Sequence, residues 1–166
     1  MKKVIGALLA LLLLCLTGCG GNTENTAVDE KNGFSYTVGN VEIVPGTDFS
    51  SALTALGEPV SYTEAASCYY DGMDKVYTYD GFEIRTYPVG EKDYVLDLCI
   101  SSADYKAEGN VGVGSALSDV LAVYGEGYIL SGSSMYQYYE TEDAYTYFFI
   151  LNDSVKYFGY AVKAEN

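Results

Sequence analysis

No histidine occurs anywhere in the 166 residues. That removes every general-base or nucleophile-activating arrangement built on imidazole. What remains is 23 carboxylates, 18 tyrosines, 4 cysteines and 9 basic side chains. Two groupings, Asp71 with Asp74 and Glu140 with Glu142 and Asp143, have the composition of a glycosidase pair or a calcium site. They lack the alternating Asp/Asn-Gly spacing of a calcium loop, and solvated turn residues account for them. No Gly-rich phosphate loop and no Cys-x-x-Cys pair is found in the sequence. No catalytic residue, metal or cofactor is therefore expected, and a carboxylate-dependent hydrolase is the most distant functional reading.

The thiol whose surroundings prescribe a reaction is Cys19. Lys2 and Lys3 precede an uncharged apolar run from Val4 to Leu16. That run is too short to span a bilayer as a mature helix and has the plan of a secretory signal. It ends in Leu16-Thr17-Gly18-Cys19, which resembles the bacterial lipobox. Small residues let a peptidase reach the bond before the cysteine, and the thiol takes a diacylglyceryl group as a thioether. The resemblance implies a signal peptide over 1–18, acylation at Cys19, and a lipid-anchored protein on the extracytoplasmic face of a cell membrane, in a Gram-positive setting. Two acyl chains hold a protein on a membrane where one is marginal. The alternative is an ordinary signal with an incidental cysteine.

Removing residues 1–18 takes away Lys2 and Lys3, so 7 basic residues face 23 acidic ones at a net charge of −16. Such a surface repels nucleic acid and anionic headgroups. Residues 19–33 are polar and aperiodic, the composition of a flexible tether. The folded domain is expected over 34–166.

Two segments within it match. Gly46-Thr-Asp-Phe49 through Leu53, Leu56, Gly57 and Glu58 parallels Gly114-Ser-Ala-Leu117 through Leu121, Tyr124, Gly125 and Glu126 at a constant offset of 68. Each opens on a turn glycine, continues with apolar residues at i, i+4 and i+7, and stops at a glycine, the pattern of a short amphipathic helix. Chance likeness of two capped helices is the bland explanation. After each helix the period becomes two. Lys75–Tyr79 and Phe82–Tyr87 flank Asp80-Gly81, a strong hairpin signal. That turn pairs Tyr79 with Phe82 and Tyr77 with Ile84 on one face, and Thr78 with Glu83 and Val76 with Arg85 on the other. Val95–Ser101 makes a third strand with Leu96, Leu98 and Ile100 on the apolar side, and a segment at Tyr69-Tyr70 would add another. Met135–Tyr139, Tyr145–Leu151 and Val155–Val162 repeat the plan. The expected fold is α+β: two tandem helix-plus-antiparallel-meander repeats, about 41–108 and 109–166, forming one sheet with the short helices on one face.

These helix and meander motifs resemble the β-lactamase inhibitor protein family. They are also similar to the small lipoprotein of the outer-membrane β-barrel assembly machine and, more closely, to Tyr-rich lipoproteins of Gram-positive bacteria. The resemblance covers about 41–162 and implies a concave sheet that grips a protein partner. No inhibitory-loop motif is found, so inhibition of a β-lactamase is not implied.

Cys68 and Cys99 remain. In an oxidising exterior they either pair, closing a loop of 30 residues worth roughly 3–4 kcal/mol in the chain-entropy model, or stand as two separate small thiols. Alternation with Leu98 and Ile100 puts Cys99 on the open face. The last two strands are apolar on both faces, more than one short helix covers, so some rings should stay outside as a partner-binding patch. Parity puts Arg85 and Tyr87 on the open face and leaves Tyr147 and Tyr160 as alternatives. The sequence thus points to a membrane-tethered module binding an unidentified protein or peptide. A structural or assembly lipoprotein of the envelope is the second reading.

Overall fold

The computed structural model describes residues 34–163, so the expected signal, Cys19 and the tether lie outside the described residues. The elements run β1 (Tyr36–Val38), β2 (Val41–Ile43), α1 (Ser50–Leu56), β3 (Ser61–Ala66), β4 (Met73–Tyr79), β5 (Phe82–Val89) and β6 (Lys92–Ile100). They continue with α2 (Leu117–Tyr124), β7 (Ile129–Ser131), β8 (Met135–Tyr139), β9 (Ala144–Leu151) and β10 (Ser154–Val162). The fold is α+β and mostly antiparallel sheet. β1 and β2 form a small hairpin, and the other eight strands form one sheet in the order β3-β4-β5-β6-β10-β9-β8-β7. Each helix precedes a four-strand meander, and the meanders meet where β6 pairs with β10.

The chain enters both helices in the same way. Gly46 N–H donates to Val95 O and Val95 N–H to Thr47 O, at 2.7 and 2.9 Å. Gly114 N–H donates to Val155 O and Val155 N–H to Ser115 O, both at 2.9 Å. Both helices also stop alike. Gly57 (φ 76°, ψ −160°) and Gly125 (φ 78°, ψ −168°) adopt a conformation open essentially to glycine alone. Each carbonyl then accepts a tyrosine hydroxyl from the sheet: Tyr79 on Gly57 at 3.2 Å, Tyr138 on Gly125 at 3.1 Å.

Cross-strand partners share a face, so the registers define two surfaces. One carries the rows Tyr77–Ile84–Leu98–Tyr160–Thr146–Tyr138 and Phe82–Ile100–Phe158–Phe148–Tyr136. This face holds the core. Phe49, just before α1, is buried with its ring 5.1 Å from Tyr77. Tyr124 of α2 lies 4.9 Å from Phe148 and 5.1 Å from Tyr138, and Val120 is fully buried. Between them comes a cover that periodicity did not suggest: Phe34 packs on Tyr160 at 5.4 Å, and Tyr36 of β1 stacks on it at 4.9 Å.

The β4–β5 hairpin has the expected register, Tyr79 to Phe82 and Tyr77 to Ile84. Two expectations are corrected. The strand before β4 is Ser61–Ala66, while Tyr69-Tyr70 lies in the connecting bend, where the chain must reverse to pair Ala66 with Met73. A register shift pairs Arg85 with Asp97 but Thr86 with Val95, leaving Leu96 as an extra residue on β6. Leu96 thereby joins Asp97 on the open side instead of the apolar side. Of the two arrangements open for Cys68 and Cys99, the structure has the separate free thiols. Cys99 is level with Glu83, Thr78 and Ser61 across β5, β4 and β3. Cys68 lies seven residues past Ser61, beyond the end of β3. At about 3.3 Å per residue the two levels are roughly 20 Å apart, whereas a disulfide needs Cα atoms within about 7 Å.

Candidate functional site: the open face of the sheet

The second surface carries the rows Glu83–Cys99–Gly159–Tyr147–Gln137 and Arg85–Asp97–Ala161–Tyr145–Tyr139. β10 contributes only Gly159 and Ala161 to them. With almost no side chain at those two positions, the middle of the face sinks into a recess of about 650 Å³. Charged and polar groups from β5 and β6 wall one side, among them Glu83, Arg85, Asp97 and Cys99. Tyr145, Tyr147 and Tyr157 wall the other.

Gly159 also lets Tyr147 lie down. A Cβ at Gly159 would fall 2.5 Å from the Tyr147 hydroxyl and 2.2 Å from Leu98 O. The ring crosses the bare backbone, and its hydroxyl donates to Asp97 Oδ1 at 2.7 Å. Asp97 is 8% exposed, and that burial lifts its carboxyl to about 6 in spite of the Tyr147 hydrogen bond and the nearby guanidinium. Burial and the Asp97 charge push the Tyr147 phenol far up, so it is a neutral donor. Burial, with Asp97 adding to it, raises the Cys99 thiol to about 11, which makes it a poor nucleophile near neutral pH. Arg85 Nε binds Glu83 Oε1 at 2.9 Å, and its Nη1 stands 3.6 Å from Asp97 Oδ2.

The aromatic side is a continuous run of rings. Tyr139 and Tyr145 have centroids 5.0 Å apart, Tyr145 and Tyr147 6.2 Å, and Tyr147 and Tyr157 6.4 Å. Tyr157 stacks on Phe149 at 4.7 Å, nearly parallel. Lys163 Nζ sits 4.8 Å over the Tyr139 ring.

Among the residues singled out from sequence, Arg85 and Tyr147 come together here. Tyr147 is only 5% exposed, so it forms the floor and is not a projecting contact. Tyr160 is corrected outright: it lies on the opposite face beneath Phe34 and Tyr36 and cannot touch a partner. Tyr87 shares Arg85's side of β5 by alternation but lies past the register shift. There it stacks on Tyr70 at 5.0 Å and lines a second, shallower recess with Tyr94 and Pro88. Asp71 and the turn Glu140, Glu142 and Asp143 are exposed. Among the described residues no three acidic or thiol groups converge as a metal-binding set, and no helix is long and apolar enough to cross a membrane. Sequence reasoning passed over Asp97, Gly159 and Tyr157. A carboxylate inside Val95-Leu-Asp-Leu-Cys-Ile100 and a glycine inside an aromatic strand were the available signals.

No family model, curated protein or solved structure matches the chain.

Proposed function

We propose that this chain is a lipid-anchored extracytoplasmic binding module that holds a protein or peptide partner on the open face of its sheet. The observation that carries the reading is the recess over Gly159 and Ala161, with rings on one side and an Arg–carboxylate cluster on the other. Interface centres combine aromatic anchors with a few oriented polar groups in this way. Tyr145 and Tyr157 are half-buried and offer large contact area at low conformational-entropy cost. We further read the sheet as two copies of one unit, a short helix laid on the core face followed by a meander. The matched helix entries, the matched glycine stops and the matched tyrosine hydrogen bonds support that reading. The lipobox-like Leu16–Cys19 motif supports the anchor.

The experiment is crosslinking on intact cells, followed by recovery of the partner with the wild type and with a Tyr145→Ala, Tyr157→Ala variant. Capture is expected to fall by about tenfold or more in the variant, as for loss of aromatic hot spots. Undiminished capture by a folded variant would place the binding surface elsewhere.

A further inference from the structure

We propose that the recess on the open face receives a cationic side chain, a lysine or arginine presented by a basic segment of the partner. This rests on the reading of the open face as the binding surface and adds the chemistry that the surface selects.

Three observations carry it. The first is charge. Residues 34–163 hold 19 acidic side chains against 6 basic ones, and a concave low-dielectric wall concentrates such a field within it. The second is the arrangement of the cluster. Glu83 and Asp97 set two carboxylates around the guanidinium of Arg85, while the other lining cation, Lys163, is held at the rim by Glu142 O at 2.6 Å and by the Tyr139 ring. Asp97 Oδ1 is taken by Tyr147 and Oδ2 makes only a long ion pair with Arg85 Nη1 at 3.6 Å, so an incoming N–H would meet the more exposed Glu83 carboxylate first, with the Asp97 charge behind it. The third is the opposite wall, where tyrosine rings attract a cation through their faces. The protein already makes this contact once, with Lys163 over Tyr139 at the rim. An anionic group in the same place would meet both carboxylates. An apolar group would cover Glu83, Arg85 and Asp97 without replacing the water it displaced.

The groups facing Asp97 are Glu83 and Arg85 from β5, Cys99 on its own strand, Tyr145 and Tyr147 from β9, and Tyr157 with Gly159 and Ala161 from β10, with Lys163 at the rim just past that strand. With its carboxyl at about 6, Asp97 is mostly charged at neutral pH and neutral in mild acid. Affinity for a cation should therefore fall as pH drops from 7 to 5.

The test uses the mature protein as isolated from cells and four fluorescein-labelled Gly/Ser peptides with two central arginines, lysines, citrullines or glutamates. Fluorescence anisotropy is expected to show the arginine and lysine peptides binding, and the citrulline and glutamate peptides at least about tenfold weaker. Glu83→Gln, which alters a partly exposed side chain, and Asp97→Asn should each weaken the arginine peptide by several-fold. Asp97→Asn should also flatten the pH dependence. Equal binding of the arginine and citrulline peptides, preference for glutamate, absence of binding, or indifference to Glu83→Gln overturns the proposal. Were cation selectivity absent while partner capture still required Tyr145 and Tyr157, the open-face reading would survive alone. Were the arginine peptide selected through Glu83 while capture ignored those rings, the cation site would stand and the open-face reading would fall.

Discussion

The Tyr147 hydroxyl reaches Asp97 Oδ1 at 2.7 Å by lying across the bare backbone of Gly159, so a side chain of β9 satisfies a buried carboxylate two strands away on β6. The contact spans the junction of the two meanders and joins the aromatic wall of the recess to its charged wall. Three residue types make it: a ring long enough to span, a glycine thin enough to pass, and a carboxylate too buried to be left without a donor.

The first prediction concerns pH. The Asp97 carboxyl rises to about 6 in the folded protein, from about 3.9 when unfolded. Between those values the folded state binds the extra proton, so stability falls as pH rises from about 4 to about 6 and is level above. A shift of this size corresponds to on the order of 2–3 kcal/mol. Denaturant unfolding at pH 4, 5, 6 and 7 should show this component in the wild type and lose it in Asp97→Asn. Identical pH profiles for the two proteins would contradict the buried position of this carboxylate.

The second concerns Gly159. A methyl there meets Leu98 O at 2.2 Å and the Tyr147 hydroxyl at 2.5 Å, so ring and neighbouring strand must both give way. Gly159→Ala should cost about 3 kcal/mol or prevent folding. Ala161 is the next residue of β10 toward the recess, and Ala161→Gly should cost about 1 kcal/mol or less, from backbone entropy. Thermal unfolding of both variants compares them directly.

The third concerns the thiols. Cys68 is exposed, whereas Cys99 lines the recess with its pKa pushed up to about 11. Iodoacetamide at pH 8 should label Cys68 in the native protein and Cys99 far more slowly, the two becoming equal in denaturant. Reductant should leave the melting temperature unchanged. A mass consistent with a 68–99 crosslink would contradict the separation of the thiols.

The fourth compares the helix stops. A Cβ at Gly57 or Gly125 meets nothing within 4 Å, so alanine there costs only the backbone conformation. Gly57→Ala and Gly125→Ala should each destabilise by about 1–3 kcal/mol. Because the two sites have the same dihedral angles and the same tyrosine hydrogen bond, the two losses should be similar. A near-zero loss at one site alone would argue against equivalent stops.

The fifth concerns the anchor. Cys19→Ser should leave the protein unprocessed or released into the medium, as read by fractionation and by the mass of the mature N-terminus. An unmodified mature N-terminus beginning elsewhere would refute lipidation.

Much of the local structure follows from short-range rules. Asp80-Gly81 sets the β4–β5 register because the turn is a property of those residues. Gly57 and Gly125 end their helices because few other residues adopt those dihedral angles. Alternation from the same turn puts Arg85 opposite the core, since a strand's two sides are fixed relative to each other.

Which side of β9 and β10 meets water is a different kind of question. Both sides are aromatic, so alternation divides Tyr147 from Tyr160 without saying which one is covered. The tertiary fold decides it when Phe34 and Tyr36, at the entry of a hairpin more than 100 residues earlier in the chain, pack on Tyr160. The extra residue Leu96 and the 68-to-99 separation are likewise set by strand pairing across the sheet, and no local preference encodes them. The recess has the same origin. Asp97 and Gly159 stand out in their own strands as a carboxylate and a glycine among apolar residues, but with Tyr147 they become a site only because β6 and β9 pair on either side of β10. Sequence by itself determined both helices, the β4–β5 hairpin and the alternation within most strands; long-range contacts supplied β1, placed the bulge at Leu96 and chose which side to bury, because burial is a property of what arrives from elsewhere in the chain.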